Sequence, residues 1–167
     1  MRMNEGVEWG AHCAVVLAML PPGASLPAAR LAEYHGVPGP YLAKSLQALM
    51  RAGIVASMTG RHGGYHLAKP ATDITLLNVF EAVEGGGNFF RCTEIRRQGP
   101  SRVAARAYPP TCGIAAAMWQ AEAAWRDSLS RVTIGDLAAE VLAQAPPAAV
   151  VKSSKWLATA LAGRSQI

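Results

Sequence analysis

Glu8 and His12 stand four residues apart, with Trp9 between them, so on a helix a carboxylate and an imidazole project from one face. The chain holds three cysteines, Cys13, Cys92 and Cys112. So small and odd a number does not make a disulfide-stapled module, and metal or redox chemistry competes with plain burial for these thiols. Cys112 follows Pro109-Pro110-Thr111 and precedes an apolar-periodic stretch. That places it at a helix N-terminus, where backbone amides and the helix dipole favour the thiolate. Cys13 follows His12 directly and points about 100 degrees away around the helix, which assigns it a structural role. Taken singly, each group has a plainer use: Glu8 as a solvated carboxylate, His12 as a satisfied histidine, Cys92 and Cys112 as small buried groups.

The elements that must position these groups follow from periodicity. A first helix spans about Gly6 to Leu20 and stops at Pro21-Pro22-Gly23. A second, short helix opens at Ser25-Leu26-Pro27, buries Ala28, Leu31 and Ala32, and ends at His35-Gly36. A third runs from about Pro40 to Ala52, with proline in its first turn and Gly53 just past its end. Leu42, Leu46 and Leu49 form its inward stripe; Tyr41, Lys44, Ser45, Ala48 and Arg51 form the opposite one, suited to base edges and phosphates. Ile54-Val55 and Tyr65-His66-Leu67 then flank the glycine-rich tip Thr59-Gly60-Arg61-His62-Gly63-Gly64, a hairpin whose tip presents Arg61 and His62. Helix followed by hairpin predicts a recognition helix and its wing, and hence double-stranded DNA as partner.

Beyond the hairpin, Thr75 to Glu84 reads as a fourth helix ended by Gly85-Gly86-Gly87, and an irregular segment follows to Pro110. From Thr111, apolar residues at Ile114, Met118, Ala121, Trp125, Leu129 and Val132 recur every three or four positions. One long amphipathic helix is predicted, with Ile114, Met118, Trp125 and Leu129 as a dimer seam. Thr133 and Asp136 form a capping box for another helix, and Trp156, Leu157 and Leu161 make a last docking turn. The predicted fold is mainly α: a winged helix-turn-helix over 1–84, a loop over 85–110, the dimerisation helix and its successor over 111–143, and a tail over 144–167.

Composition agrees. The net charge is +5, with six Lys/Arg against three Asp/Glu in residues 1–70, so the cationic excess leans toward the helix and wing. The apolar run Ala11 to Leu20 lacks the positive flank of a secretory signal, and no stretch approaches the ~18 apolar residues that span a bilayer. A cytoplasmic protein is expected.

The strings YLxKxLQxLxxAGIV, GxxGGYxLAKP and ITLLxVxEAVEG, with a cysteine downstream, resemble the Rrf2 family of bacterial transcription regulators over about residues 6 to 143. The resemblance implies a homodimer on a pseudo-palindromic operator, with one recognition helix per half-site, the long helix as interface and, in many members, an iron-sulfur cluster. The commonest cluster pattern has three clustered cysteines; here only Cys92 and Cys112 follow the fourth helix. The string GVEWGAHC and the two separated cysteines resemble the RsrR type, which implies a [2Fe-2S] cluster held by Glu8, His12, Cys92 and Cys112; with the first helix in the DNA-binding unit and both cysteines beside the dimer helix, the ligands are expected from both subunits and Trp9 is the expected switch residue. Zinc accepts the same donors. Two alternatives stand beside this reading: a cluster-free thiol or partner-responsive member, and, more remotely, an enzyme pairing Cys112 with His12. No oxyanion motif or third orienting residue accompanies that pair, so the chain is not expected to be an enzyme.

Overall fold

The structure is a computed structural model, and it describes residues 4–60 and 63–162. Seven α-helices and one two-stranded hairpin make up these residues, with three isolated 3₁₀ turns. Helix α1 (Glu5–Ala18) is capped by Asn4, whose side chain accepts the Gly6 N–H at 2.9 Å. Helix α2 (Ala28–His35) ends on Gly36 at φ 66°, the left-handed conformation that glycine adopts without a Cβ clash. Helix α3 (Gly39–Arg51) leads into strands β1 (Val55–Met58) and β2 (Gly64–Leu67), antiparallel with Val55 opposite Leu67.

The wing is stitched to the segment before α2. Leu26 and Tyr65 exchange N–H···O=C bonds of 2.9 and 2.7 Å. Gly64 is required there: a Cβ on it would fall 2.5 Å from the Leu26 carbonyl carbon. Leu26, Leu31, Leu42, Leu46, Leu49, Ile54 and Val79 are buried at the centre of the helix-turn-helix unit, and Ile134 and Ala138 belong to the same core.

Helix α4 (Leu76–Glu84) and helix α6 (Ile134–Gln144) each start in a capping box, Thr75 with Asn78 and Thr133 with Asp136. The two box threonines pair as an isolated bridge, which seats the start of α6 against the start of α4. Helix α5 (Gly113–Ser130) lies between them in sequence. The expected docking turn at the C-terminus is instead a full helix, α7 (Pro147–Ala162). Its alanine-rich sequence has high helix propensity and a proline in its first turn, but little amphipathic period to announce it. Trp156 packs edge-on against Tyr34 of α2 with ring centroids 5.2 Å apart, its indole N–H donates to Glu33 at 3.3 Å, and the Tyr34 and Ser153 hydroxyls are hydrogen-bonded. Among the described residues no helix is long and apolar enough to cross a membrane.

Candidate DNA interface and ligand residues

The outward face of α3 carries Tyr41, Lys44, Gln47, Met50 and Arg51, all exposed, at the spacing of successive turns. Lys44 Nζ lies 5.5 Å from the centroid of the Tyr41 ring, and neither Lys44 nor Arg51 has an ion-pair partner among the described residues. Unpaired cations on an exposed helix suit phosphate contact.

Two expected members of this face, Ser45 and Ala48, are recessed rather than exposed, lining the groove between α1 and α3. Ser45 and Ala48 are 4% and 6% exposed, because α1 packs along that side of α3 and claims their surface. Gln47, one turn on from Lys44, takes their place in the exposed stripe, and its side-chain amide is a natural partner for adenine. Spacing from Lys44 alone would have found it. Beside the stripe, Asn4, Gly6 and Trp9 of α1 and Tyr41, Lys44 and Arg51 of α3 border a recess of about 500 Å³. Trp9 is half-buried in its wall. Arg61 and His62 lie outside the described residues.

Glu8 and His12 are exposed on α1. The His12 ring stands 5.7 Å from that of His35, whose Nε2 is buried without a hydrogen-bond partner. Burial, and secondarily His12, hold the His35 imidazole below its ordinary pKa. Cys13 is completely buried, and burial pushes its thiol up to about 12, which makes it inert.

Cys92 and Cys112 are both half-buried. The Cys92 thiol is 3.7 Å from Glu94 Oε1, and Glu94, at φ 51°, accepts from Arg96 Nε at 3.0 Å and forms an ion pair with Arg97 Nε at 2.8 Å. Cys112 is the N-cap of α5, as its position after two prolines predicts. The N–H groups of Ala115 and Ile114 hold its thiol below the usual range, and Arg96 adds to that while burial and Glu94 oppose it. A group whose thiolate is favoured in this way is a better nucleophile and a better metal ligand. Among the described residues no three His, Cys, Asp or Glu side chains come together to hold a metal ion, so one chain does not gather Glu8 and His12 with Cys92 and Cys112.

The sequence profile described as Rrf2, iron-dependent transcriptional regulator, matches residues 3–140. The chain belongs to the Rrf2 family of transcriptional regulators. Among curated relatives, this Rrf2 regulator is 37% identical over 91 residues to YwgB of Bacillus subtilis, named as an HTH-type transcriptional regulator; the match covers 54% of this chain and 58% of YwgB. It is 29% identical over 140 residues to YffB of Lactococcus lactis, named in the same way, over 84% of this chain and 88% of that protein. Its fold is that of CymR, the global cysteine regulator of B. subtilis, with a TM-score of 0.66 at 20% identity over 84% of this chain and 98% of the other. The structure of T. potens IscR agrees with a TM-score of 0.64 at 20% identity, over 87% and 93% of the two chains.

In this Rrf2 regulator the stripe expected to meet DNA is exposed on α3, whereas the expected dimer seam on α5 is only partly free. Ile114 and Met118 are 70% and 46% exposed. Trp125 is not: its ring lies 4.7 Å from Phe80 and 5.1 Å from Phe89, inside an aromatic cluster that joins α5 to α4. Leu129 is half-buried as well. The sequence stripe straddles two faces of α5, because a helix that packs on its own core and also presents an apolar face has adjacent apolar stripes that periodicity merges. Trp119, 41% exposed with its indole N–H on the Phe90 carbonyl at 3.3 Å, was absent from the expected seam.

Proposed function

We propose that this regulator is a homodimer whose operator affinity is set by a [2Fe-2S] cluster, with Glu8 and His12 of one subunit and Cys92 and Cys112 of the other as ligands. The observation that carries this reading is Cys112, a half-buried N-cap whose thiolate is favoured by the first amides of α5, in a chain that also exposes Glu8 and His12 one turn apart on α1. The donor chemistry fits: two thiolates, one of them favoured by helix amides, with an imidazole and a carboxylate, satisfy four-coordination of the cluster. An imidazole in place of a thiolate would raise the potential of a bound cluster and bring its one-electron couple within reach of cellular reductants.

The chain's own residues connect this site to DNA. Glu8 and Trp9 are neighbours on α1, and Trp9 walls the recess shared with Tyr41, Lys44 and Arg51 of the recognition helix. A small displacement of α1 therefore repacks directly against α3. A tenfold change in operator affinity requires only about 1.4 kcal/mol of difference between the two states. The apolar side chains Ile114 and Met118 make α5 the dimer helix, beginning one residue after Cys112.

Anaerobic purification followed by absorption and EPR spectroscopy tests the reading. A coloured protein with a [2Fe-2S] spectrum that changes operator affinity on reduction is the expected result. Colourless protein with full affinity at every potential defeats it. A second reading has its own observation: Cys92 and Cys112 share Glu94 and Arg96 as neighbours within one chain, which suits control by thiol oxidation. It predicts affinity that responds to a thiol oxidant in metal-free protein.

A further inference from the structure

Glu122 is a buried carboxylate on a helix that is otherwise mostly exposed. A buried carboxylate is unfavourable unless it is fully paired, and here each oxygen has a partner. Oε1 takes Arg126 Nε at 3.0 Å, and Oε2 takes the backbone N–H of Phe89 at 3.0 Å. Arg126 in turn donates to Glu81 of α4 at 2.6 Å and to the Gly87 carbonyl, and its guanidinium lies 5.1 Å from the Phe89 ring centroid. The segment so held begins at the end of the run Gly85-Gly86-Gly87, where no side chain restrains the backbone, and its Phe89 precedes Cys92 by three residues. Cys112 caps the same helix that carries the clamp.

We infer that Glu122 and Arg126 are positioning residues that fix Cys92 relative to Cys112 by holding the loop before Cys92 on α5 and α4. Cys112 is referenced to α5 by the chain itself, and Cys92 through Phe89 and Gly87. The same guanidinium grips α4, and Glu84 at the end of α4 accepts the Asn4 N–H at 2.8 Å, at the start of the helix that bears Glu8 and His12. Hydrogen bonds to Glu81 and Glu84 thus join the loop before Cys92 and the start of α1 to the same helix, α4. The inference takes the two cysteines as the working groups of the proposed function, but the clamp itself is tested without a cluster.

The experiment uses the full-length chain with Glu122→Gln, Arg126→Lys and, as a control on the exposed side of α5, Asp127→Asn. In reduced, metal-free protein, the alkylation rates of Cys92 and Cys112 by iodoacetamide are read by mass spectrometry, beside hydrogen exchange over residues 85–92. Glu122→Gln raises the Cys92 rate about tenfold and speeds exchange over this segment, a local opening that leaves Cys112 and α3 unchanged. Arg126→Lys, which keeps the charge but loses the fork, raises the Cys92 rate selectively but less than Glu122→Gln does. Asp127→Asn behaves as wild type. Unchanged Cys92 labelling and exchange in folded Glu122→Gln overturns the inference, as does a uniform rise at all cysteines. Should Glu122→Gln fail to fold by circular dichroism, Arg126→Lys decides alone: a selective rise at Cys92 supports the clamp and none removes it. Visible spectroscopy of anaerobic protein separates the two ideas, since colourless wild type ends the cluster reading while the alkylation result still judges the clamp.

Discussion

Ser45 Oγ stands 3.0 Å from the point that a Cβ on Gly6 would occupy. That Cβ would also lie 3.3 Å from Asn4 Oδ1 and from Val83 Cγ1, so the N-terminal turn of α1 lies against α3 and α4 at a position that only glycine fills easily. One turn on, a Cβ at Gly10 would meet nothing nearer than 3.6 Å. The two glycines therefore respond oppositely to alanine. Gly6→Ala lowers stability by about 1 kcal/mol and weakens operator binding by moving α1 off α3, whereas Gly10→Ala raises stability by up to ~1 kcal/mol through helix propensity. Thermal melts and operator titrations of both variants check the contrast.

Lys44→Ala and Arg51→Ala weaken operator binding, and each lowers the slope of log affinity against log salt by about 1. Gln47→Ala instead loosens base preference at one position per half-site, leaving the salt slope unchanged. Ser45→Ala changes neither. Fluorescence anisotropy over a salt series, with single-base operator variants, distinguishes the three behaviours.

Met118→Glu and Ile114→Glu place charges on the exposed apolar side of α5 and yield monomers by analytical ultracentrifugation, with little loss of fold. Trp125→Ala acts inside the chain and costs about 3 kcal/mol of stability by opening the cluster with Phe80 and Phe89. Dimers that survive both charged substitutions would assign the interface to another surface.

Asp136 is held below the usual carboxylate range by the Thr133 hydroxyl and backbone N–H. A folded-state value depressed in this way contributes stability that is present above the unfolded Asp pKa of about 3.9 and is lost as pH falls through the folded value. Asp136→Ala accordingly lowers the melting temperature at pH 7, and its gap from wild type closes in acid below that range. A gap that persists undiminished at the lowest accessible pH would contradict the assignment.

Capping residues and glycines carried much of the architecture in plain view. Gly36 and Gly53 end α2 and α3, Thr133 with Asp136 starts α6, and the wing strands flank the glycine tip as expected. These are local signals, satisfied within a few residues. What the sequence concealed depended on partners distant along the chain. Ser45 and Ala48 read as a binding stripe until α1 is laid across them, and Trp125 reads as a seam until Phe80 and Phe89 enclose it. The Glu122 and Arg126 pairing, four residues apart, looks like an ordinary surface ion pair until Phe89 and Glu81 arrive. Cys112 was legible as a helix cap because its signal, two prolines followed by an apolar repeat, is local.

The pairing of Leu26 with Tyr65 makes the wing and the entry to α2 one plate, so a displacement of the hairpin is delivered to α2. There it meets Tyr34 and Glu33, and through them the indole of Trp156 on α7. Trp156 thus puts an intrinsic fluorophore at the far end of the same lever.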